Sequence, residues 1–481
     1  MRAALLGDHE APDESFPQVG DAHGGHEIGV GLRAVVVLFA AFAVYAAVLG
    51  VAAHGTEAAW GRWAAGGYGV AALATVLWWR RRPSIPLLIA LAGTFVIPAA
   101  VLPSTWGATS EVRVVERAAS LWLSHGTPYL ASNQLSSWRS YDPYLPGMSL
   151  FGLPHAAGLP GVLGDPLLFL ALATTAILAV ACGIVAPGAK RGCHACHRAA
   201  LGRALLLVAC PALAFPMALG VTDPPVIALM CLGLAWTARP LLRQEGTAAT
   251  QAGDAAALSS AGAVWKRPGR PLYAGVAIGM GCALKATAWP ALPVIFALVA
   301  LRDGRRAATR FAGAALGSFV VLTAVMAPAL LTRAGALWQN IVAYPLGFSR
   351  GRTPAASPLP GHLLASAGAA GHVAAILLLG VAAIAMGVSL VIRPPRGLPQ
   401  TAVRLAVGLT LMFLFAPDAR FGYFAYPLGI VLFLFVAVAS PRREILGEAR
   451  ADRTPVGPPL SFAPDCAAPV RSYRDRGGQP S

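Results

Sequence analysis

The chain has 481 residues, of which 56% are hydrophobic and only 12% are charged, and its formal net charge is +16. Soluble domains carry about 25% charged residues, so this composition excludes an ordinary soluble enzyme. The positive residues stand in short clusters between apolar runs, as is typical of a multi-spanning membrane protein. The net charge therefore calls for no nucleic-acid partner.

The chain divides into a transmembrane domain, residues 32–439, and two polar tails. Residues 1–31 hold acidic residues and histidines, unlike a signal peptide, so the first apolar run is interpreted as a retained helix. Residues 440–481 are polar and proline-rich. Both tails are predicted to be disordered and cytoplasmic.

The apolar segments of the middle region predict an all-α integral membrane fold of about twelve transmembrane helices. The charge rule places the basic clusters on the cytoplasmic side of the cell membrane. It leaves two large loops outside, 104–146 and 333–368, and a flexible loop inside, 239–271.

Two apolar segments are predicted to be irregular. Residues 148–164 contain Pro154 and Pro160, which favour a broken or partly re-entrant helix. Residues 273–301 would form an unusually long single helix with Lys285 near its middle. Two short helices with the lysine at an outer turn between them fit this segment better.

The loop 104–146 contains a predicted helix that begins near Glu111 and ends at Gly126. Its apolar residues recur at helical spacing, which indicates an amphipathic helix lying along the outer interface. These residues are Val112, Val115, Ala119 and Trp122. Glu111 stands in the first turn, where the helix dipole favours a carboxylate, so a simple capping role is the alternative to a catalytic one. Glu116 is interpreted as a solvated partner of its neighbours.

This loop resembles the first outer loop of the GT-C class of membrane glycosyltransferases. It is most similar to glycosyltransferase family 87, the actinobacterial mannosyltransferases that use polyprenyl-phosphate-mannose. The matching elements are Glu111, the helix through Leu123, Gly126, Tyr129 and the run Tyr141-Asp-Pro-Tyr144. Two later segments are similar to polar turns of the family, Gly220-Val-Thr-Asp223 and Ala283-Leu-Lys285.

The sequence also departs from the family pattern. The family usually has Asp where Glu111 stands, and its aromatic-Tyr-Pro-Pro element is interrupted here by Leu145. Its aromatic and histidine-rich motif near the last spans is replaced by residues 416–423, which contain Asp418 and Arg420. These departures leave the sugar and the acceptor open.

The resemblance implies transfer of a sugar, mannose or a related hexose or pentose, from a polyprenyl-phosphate donor to an outer-face glycolipid or glycan acceptor. It implies Glu111 as the general base, and no cofactor is expected. The candidate substrate-binding residues are Arg113, Tyr129, Asp142, Tyr144, Asp223, Lys285, Arg420 and Tyr423. The alternatives are a carrier or flippase of a lipid-linked sugar, and a non-catalytic membrane scaffold.

Each candidate residue has a simpler interpretation. Lys285 can reach the interface by snorkelling, and Arg420 can pair with Asp418. Asp142 and Asp223 stand beside prolines and are typical turn residues. Tyrosines are common at any membrane interface, which applies to Tyr129, Tyr141, Tyr144, Tyr423 and Tyr426.

The cysteines predict no disulfide framework. Four lie inside apolar segments and are interpreted as buried small hydrophobes, namely Cys182, Cys210, Cys231 and Cys282. Cys193-His-Ala-Cys196-His197 matches a C-x-x-C-H pattern, which is found in haem attachment and offers zinc ligands. Since the segment is predicted to be cytoplasmic and no second ligand pair is nearby, a chance match is favoured.

Overall fold

A computed structural model of the chain describes residues 24–78, 81–82, 84–106, 109–185, 194–238, 269–329, 334–349, 351 and 353–438. All of them belong to one structural unit, Met1–Ala439. The tail 440–481, residues 1–23, the loop 239–268 and Cys193 lie outside the described residues.

The described residues are helical apart from connecting loops. The α-helices are α1 Gly24–Ala52, α2 Gly55–Trp78, α3 Ser84–Leu91, α4 Ile97–Trp106, α5 Ser110–His125, α6 Leu153–Ala156, α7 Pro166–Val185, α8 His194–Val208, α9 Pro211–Ala218, α10 Asp223–Thr237, α11 Arg270–Leu284, α12 Ala291–Asp303, α13 Arg305–Met326, α14 Ala334–Leu337, α15 Pro360–Ser366, α16 Ala369–Ile392, α17 Leu398–Phe415 and α18 Ala425–Val438. A π-helical turn, Ala92–Val96, joins α3 to α4, and another, Trp338–Ala343, follows α14.

Seven described helical segments are long and apolar enough to cross a membrane. They are Leu32–Ala52, Ser84–Pro103, Pro166–Val185, Ala286–Asp303, Arg305–Met326, Ala369–Ile392 and Leu398–Phe415. An eighth is added if α8 and α9, bent by 70° at their junction, count as one span. The chain is therefore an all-helical multi-pass membrane protein over its described residues. The larger number of spans, and the placement of α5 at an interface, stay predictions.

Both irregular segments of the sequence are irregular in the structure. A 3-10 helix at Pro146–Gly152 leads into the single turn of α6, so this region is broken, as predicted. The helical path also breaks at Lys285, whose backbone is extended between α11 and the short 3-10 helix Ala286–Ala288. Lys285 therefore lies between the C-terminal end of α11 and the N-terminal end of the 3-10 helix.

Glycines bring the first helices into close contact. A Cβ atom on Gly61 of α2 would lie 2.4 Å from the backbone nitrogen of Gly50 of α1. One on Gly67 would lie 2.8 Å from the Cα of Gly93 in the π-helical turn. Small residues of this kind let membrane helices approach until their backbones touch. These glycine contacts hold α2 against α1 on one side and against the π-helical turn on the other.

The four cysteines within apolar segments are free and buried, as predicted. Cys193 and the side chain of Cys196, from the C-x-x-C-H segment, lie outside the described part of the chain.

Candidate functional site

Glu111 lies in the first turn of α5, and its carboxylate is directed into the bundle. Thr109 caps the helix by accepting a hydrogen bond from the Val112 N–H. The helix ends at Gly126, as the sequence predicts, and Gly126 has a left-handed conformation. Glu111 Oε2 accepts hydrogen bonds from the backbone N–H of Thr222 at 3.0 Å and from its hydroxyl at 2.9 Å. The residue predicted as the general base is therefore anchored to the turn before α10.

Asp223 and Lys285 form a buried ion pair beside this turn. Asp223 begins α10, and Lys285 Nζ donates a hydrogen bond to its Oδ1. The Tyr426 hydroxyl donates to the same oxygen at 2.8 Å. The two charged side chains are 8% and 3% exposed, so the snorkelling interpretation of Lys285 is wrong. Asp223 therefore forms an ion pair with Lys285 in addition to standing at the turn that begins α10.

Thr222 joins the two halves of the site. Its hydroxyl donates to Glu111 and accepts from Lys285 Nζ at 3.4 Å. Gly220 makes the turn possible because its φ of 70° is left-handed, and a Cβ there would lie 2.5 Å from a methyl group of Val112. The turn stands out in the sequence, but the sequence predicts no role for Thr222. A threonine directly before a helix start is a typical capping residue, and that pattern masks its bridging role.

Arg420 completes the arrangement from the segment between α17 and α18. Its Nη1 lies 3.3 Å from Glu111 Oε1. The interpretation that pairs Arg420 with Asp418 is therefore wrong, since Asp418 instead lies 4.0 Å from His362. The segment is held by the Ser357 N–H, which donates to the Ala419 carbonyl at 3.1 Å. We call Glu111, Asp223, Lys285 and Arg420 the charged cluster.

Two tyrosine rings flank the lysine. Lys285 Nζ lies 5.1 Å from the centre of the Tyr144 ring and 5.4 Å from that of Tyr423. A cation within about 6 Å of an aromatic ring is attracted by the ring's quadrupole. Both tyrosines are thus placed at the cluster.

The remaining candidates of the first loop hold Tyr144 in place. Asp142 Oδ1 accepts from the Tyr144 N–H at 3.0 Å, which is the turn role expected of it. The Tyr129 hydroxyl donates to the Tyr144 carbonyl at 2.8 Å. The Leu145 N–H donates to the Leu284 carbonyl at 3.0 Å, which ties this loop to the break at Lys285.

The sequence did not predict the contacts that hold Tyr141 and Asp142 in place. The Asn340 side chain in the second π-helical turn accepts from the Asp142 N–H at 2.7 Å, and Tyr141 stacks on Tyr344 at 4.4 Å. Arg117 donates to the backbone carbonyls of Arg139 and Tyr141. A polar residue about 200 positions further along the chain gives no sequence signal that identifies its partner.

Arg113 is not brought to the cluster. It lies two residues after Glu111, which on a helix turns its side chain to the opposite side, and it is exposed. Glu116 also lies apart from the cluster, 3.6 Å from His155. Of the predicted substrate-binding residues, Arg113 is the one that the geometry separates from the others.

The charges around Glu111 set its protonation. Burial acts to raise the pKa of its carboxyl, but Lys285, Arg420 and the hydrogen bonds from Thr222 outweigh burial and lower the pKa below its usual value. Glu111 is therefore ionised at neutral pH. The cluster combines two carboxylates with two cations, so it can accept a proton and can also bind an anion.

No protein-family model matches the chain, and comparisons with curated proteins and with solved structures find no significant match.

Proposed function

We propose that the chain is a membrane glycosyltransferase of the GT-C type that works on the outer face and takes its sugar from a polyprenyl-phosphate donor. One observation carries the proposal. Four charged residues that the sequence singled out, from positions 111, 223, 285 and 420, lie in one connected cluster. Buried polar groups in a membrane protein are costly and mark functional sites.

The residue types suit the chemistry of sugar transfer. The acceptor's hydroxyl oxygen attacks the anomeric carbon of the sugar, and the bond from that carbon to the phosphate oxygen breaks. The polyprenyl phosphate leaves with the bonding electron pair, and the hydroxyl proton passes to a carboxylate base. Lys285 and Arg420 stabilise the charge that develops on the departing phosphate.

Glu111 is a better candidate base than Asp223. The Asp223 side chain is 3% exposed and is engaged by Lys285 and Tyr426, whereas the Glu111 side chain is 11% exposed. The partner of Glu111, Arg420, is 36% exposed and is the most accessible of the four. A substrate therefore meets Arg420 and Glu111 first.

Because Glu111 is paired with cations, binding of the donor phosphate should also change the basicity of Glu111. A carboxyl with a lowered pKa is a weak base, since the best catalytic pKa lies near the working pH. A phosphate bound at Arg420 and Lys285 adds a negative charge beside Glu111 and draws these cations towards itself. Both effects raise the pKa of Glu111, so donor binding strengthens the base.

The test is Glu111→Gln, assayed in proteoliposomes with radiolabelled polyprenyl-phosphate-mannose and a membrane glycolipid extract as acceptor. Glutamine still accepts from Thr222 but takes no proton, so turnover should fall by about 10²–10⁴-fold while donor binding stays nearly intact. Donors with another hexose or a pentose, run in parallel, identify the sugar.

Glu116→Gln is the matched control, because Glu116 lies on the same helix beside His155 and away from the cluster. Its turnover should stay near normal. Near-normal turnover of Glu111→Gln would remove Glu111 as the base, and loss in Glu116→Gln alone would move the assignment there. Movement of the donor across the vesicle membrane with no new glycosidic bond would support a carrier instead.

A further inference from the structure

A lateral groove lies beside α2, away from the charged cluster. Its volume is about 550 Å³, within the range of about 300–1,000 Å³ typical of small-molecule pockets. It is lined mainly by apolar residues of α2 and of the segment through the π-helical turn, together with Arg62. The charged cluster, by contrast, is built from α5, α10 and the segments at Lys285 and Arg420.

Glycines and the π-helical turn shape this groove. Gly67 touches Gly93 and brings the two backbones together, while a Cβ on neighbouring Gly66 would meet nothing within 4 Å. Trp60 Nε1 donates to the Thr94 carbonyl at 2.8 Å and so fixes the π-helical turn. Single π-helical turns occur frequently at functional sites. The groove is thus a defined feature of the packing.

Arg62 supplies the groove's charge. It is the eighth residue of α2, a helix that packs against the spans formed by α1 and by α3 with its π-helical turn. The side chain is exposed, and its guanidinium makes no hydrogen bond or ion pair with any residue of the described ranges. A cation among membrane-spanning helices is unfavourable unless an anion or water accompanies it.

We propose that this groove binds one anionic phospholipid, with its phosphate on Arg62 and an acyl chain along Gly66 and Val70. Part of the groove's lining belongs to the spanning segment Ser84–Pro103, and Val70 opposite it is 54% exposed, so the surrounding lipid can reach these residues. Guanidinium and phosphate form paired, charge-assisted hydrogen bonds, and the apolar floor suits a hydrocarbon chain.

Native mass spectrometry of the full chain in detergent tests the proposal, with phosphatidylglycerol and diacylglycerol of the same acyl chains as probes. The wild-type protein should retain one phosphatidylglycerol in preference to diacylglycerol. Arg62→Gln should weaken phosphatidylglycerol binding by about tenfold or more, the size of a lost charge-assisted hydrogen bond. Diacylglycerol binding should not change in this variant.

Gly66→Leu tests the groove itself, because Gly66 lines the groove and an added Cβ there meets nothing within 4 Å, so the leucine side chain should occupy the groove. It should lose the bound phosphatidylglycerol. Gly69→Leu is the matched control, since Gly69 is also open but does not line the groove, and it should behave as the wild type does. Arg62→Gln keeps the test decisive if Gly66→Leu fails to fold.

Three results would overturn the proposal. The first is equal retention of phosphatidylglycerol by the wild type and Gly66→Leu. The second is binding of diacylglycerol as tight as that of phosphatidylglycerol, which would show that no phosphate is recognised. The third is exclusive displacement of phosphatidylglycerol by a polyprenyl phosphate at low concentration, which would make the groove a donor site.

Discussion

The Asp223–Lys285 pair is the most buried part of the cluster, and its loss should reduce stability. Lys285→Met leaves the Asp223 carboxylate with Tyr426 as its remaining hydrogen-bond partner. Removing one partner of a buried pair costs about 3–5 kcal/mol. Lys285→Met combined with Asp223→Asn should recover most of that loss, because no unpaired charge remains. Denaturant unfolding in detergent measures both, and equal instability of the two variants would contradict the assignment.

Loss of Arg420 should affect donor binding more than it affects stability. Its side chain is one-third exposed and Glu111 keeps its hydrogen bonds from Thr222, so Arg420→Gln should cost less stability than Lys285→Met does. If Arg420 binds the donor phosphate, the same change should greatly weaken donor binding. Arg113→Gln is the control, because this exposed arginine lies apart from the cluster. Equal donor affinity in both variants would remove Arg420 from the phosphate site.

Asp142 should make stability depend on pH. Burial raises the pKa of its carboxyl from 3.8 to about 7, against the lowering effects of the Tyr144 N–H and Arg117. The folded chain therefore holds this proton more tightly than the unfolded chain, and stability falls as pH rises from about 4 to about 7.

Asp142→Asn removes this titration but keeps an oxygen for the Tyr144 N–H. The fall in stability across that pH range should flatten, and the variant should be more stable than the wild type at pH 8. Thermal unfolding at a series of pH values measures the effect. An unchanged pH profile would show that Asp142 does not hold a proton in the folded protein.

At the level of single residues, the sequence identifies the members of the cluster but not their partners. Glu111, Asp223, Lys285 and Arg420 stand out because charge is rare in so apolar a chain. The pairing of Arg420 with Glu111 rather than with nearby Asp418 depends on how α5 and α17 lie in space. Sequence separation of 309 residues carries no information on that contact.

Among the elements, the turn before α10 is the most constrained. Gly220→Ala places a residue with a side chain at φ 70° and drives its Cβ against Val112. Backbone strain of this kind costs about 1–3 kcal/mol, and the clash adds to it. Because Thr222 and Asp223 follow directly, we expect turnover to fall together with stability.

Gly55→Ala is the control for this turn. Gly55 has a similar φ of 62°, but an added Cβ there meets nothing within 4 Å. It should show only the backbone strain and keep normal turnover per folded molecule. Equal losses of turnover in the two variants would show that contact with Val112 does not position the turn.

Periodicity and turn chemistry predict the elements better than they predict their breaks. Helix α5 follows from its apolar spacing and ends at Gly126 as expected, and the lysine within a long apolar run predicts the break between α11 and α12. The π-helical turn at Ala92–Val96 was not predicted. Within this turn Gly93 packs against Gly67, and such a contact between helices leaves no local sequence pattern.

For the whole molecule, the proposed topology places Ser132 outside and Arg305 inside. The two residues lie in different connections, Ser132 after α5 and Arg305 at the start of α13. Single cysteines at these positions, with Cys193, Cys196 and Cys466 replaced by serine, should react with an impermeant reagent in different ways. Ser132→Cys should react in intact cells, and Arg305→Cys only after the cells are opened. The reverse result would place the cluster on the cytoplasmic side.

The assembly of the bundle is the level at which the sequence says least. Hydropathy finds the long apolar helices, but it predicts about twelve spans, and helices α2 and α10 are not among the seven described segments that are long and apolar enough. Shorter or more polar helices such as α10 gain their stability from packing, because nearly every residue of α10 is buried. Such packing depends on all neighbours together.

The balance of charge within the cluster has a consequence for an energised cell. Two carboxylates and two cations cancel, so the four groups together carry no net charge. A transmembrane potential acts on net charge with about 2.3 kcal/mol per elementary charge per 100 mV. Movement of the whole cluster through the field therefore transfers no net charge, so the potential should not bias the position of the cluster as a unit. A phosphate entering the site would give it a net charge, so the potential would then favour or oppose that step according to the direction in which the phosphate moves.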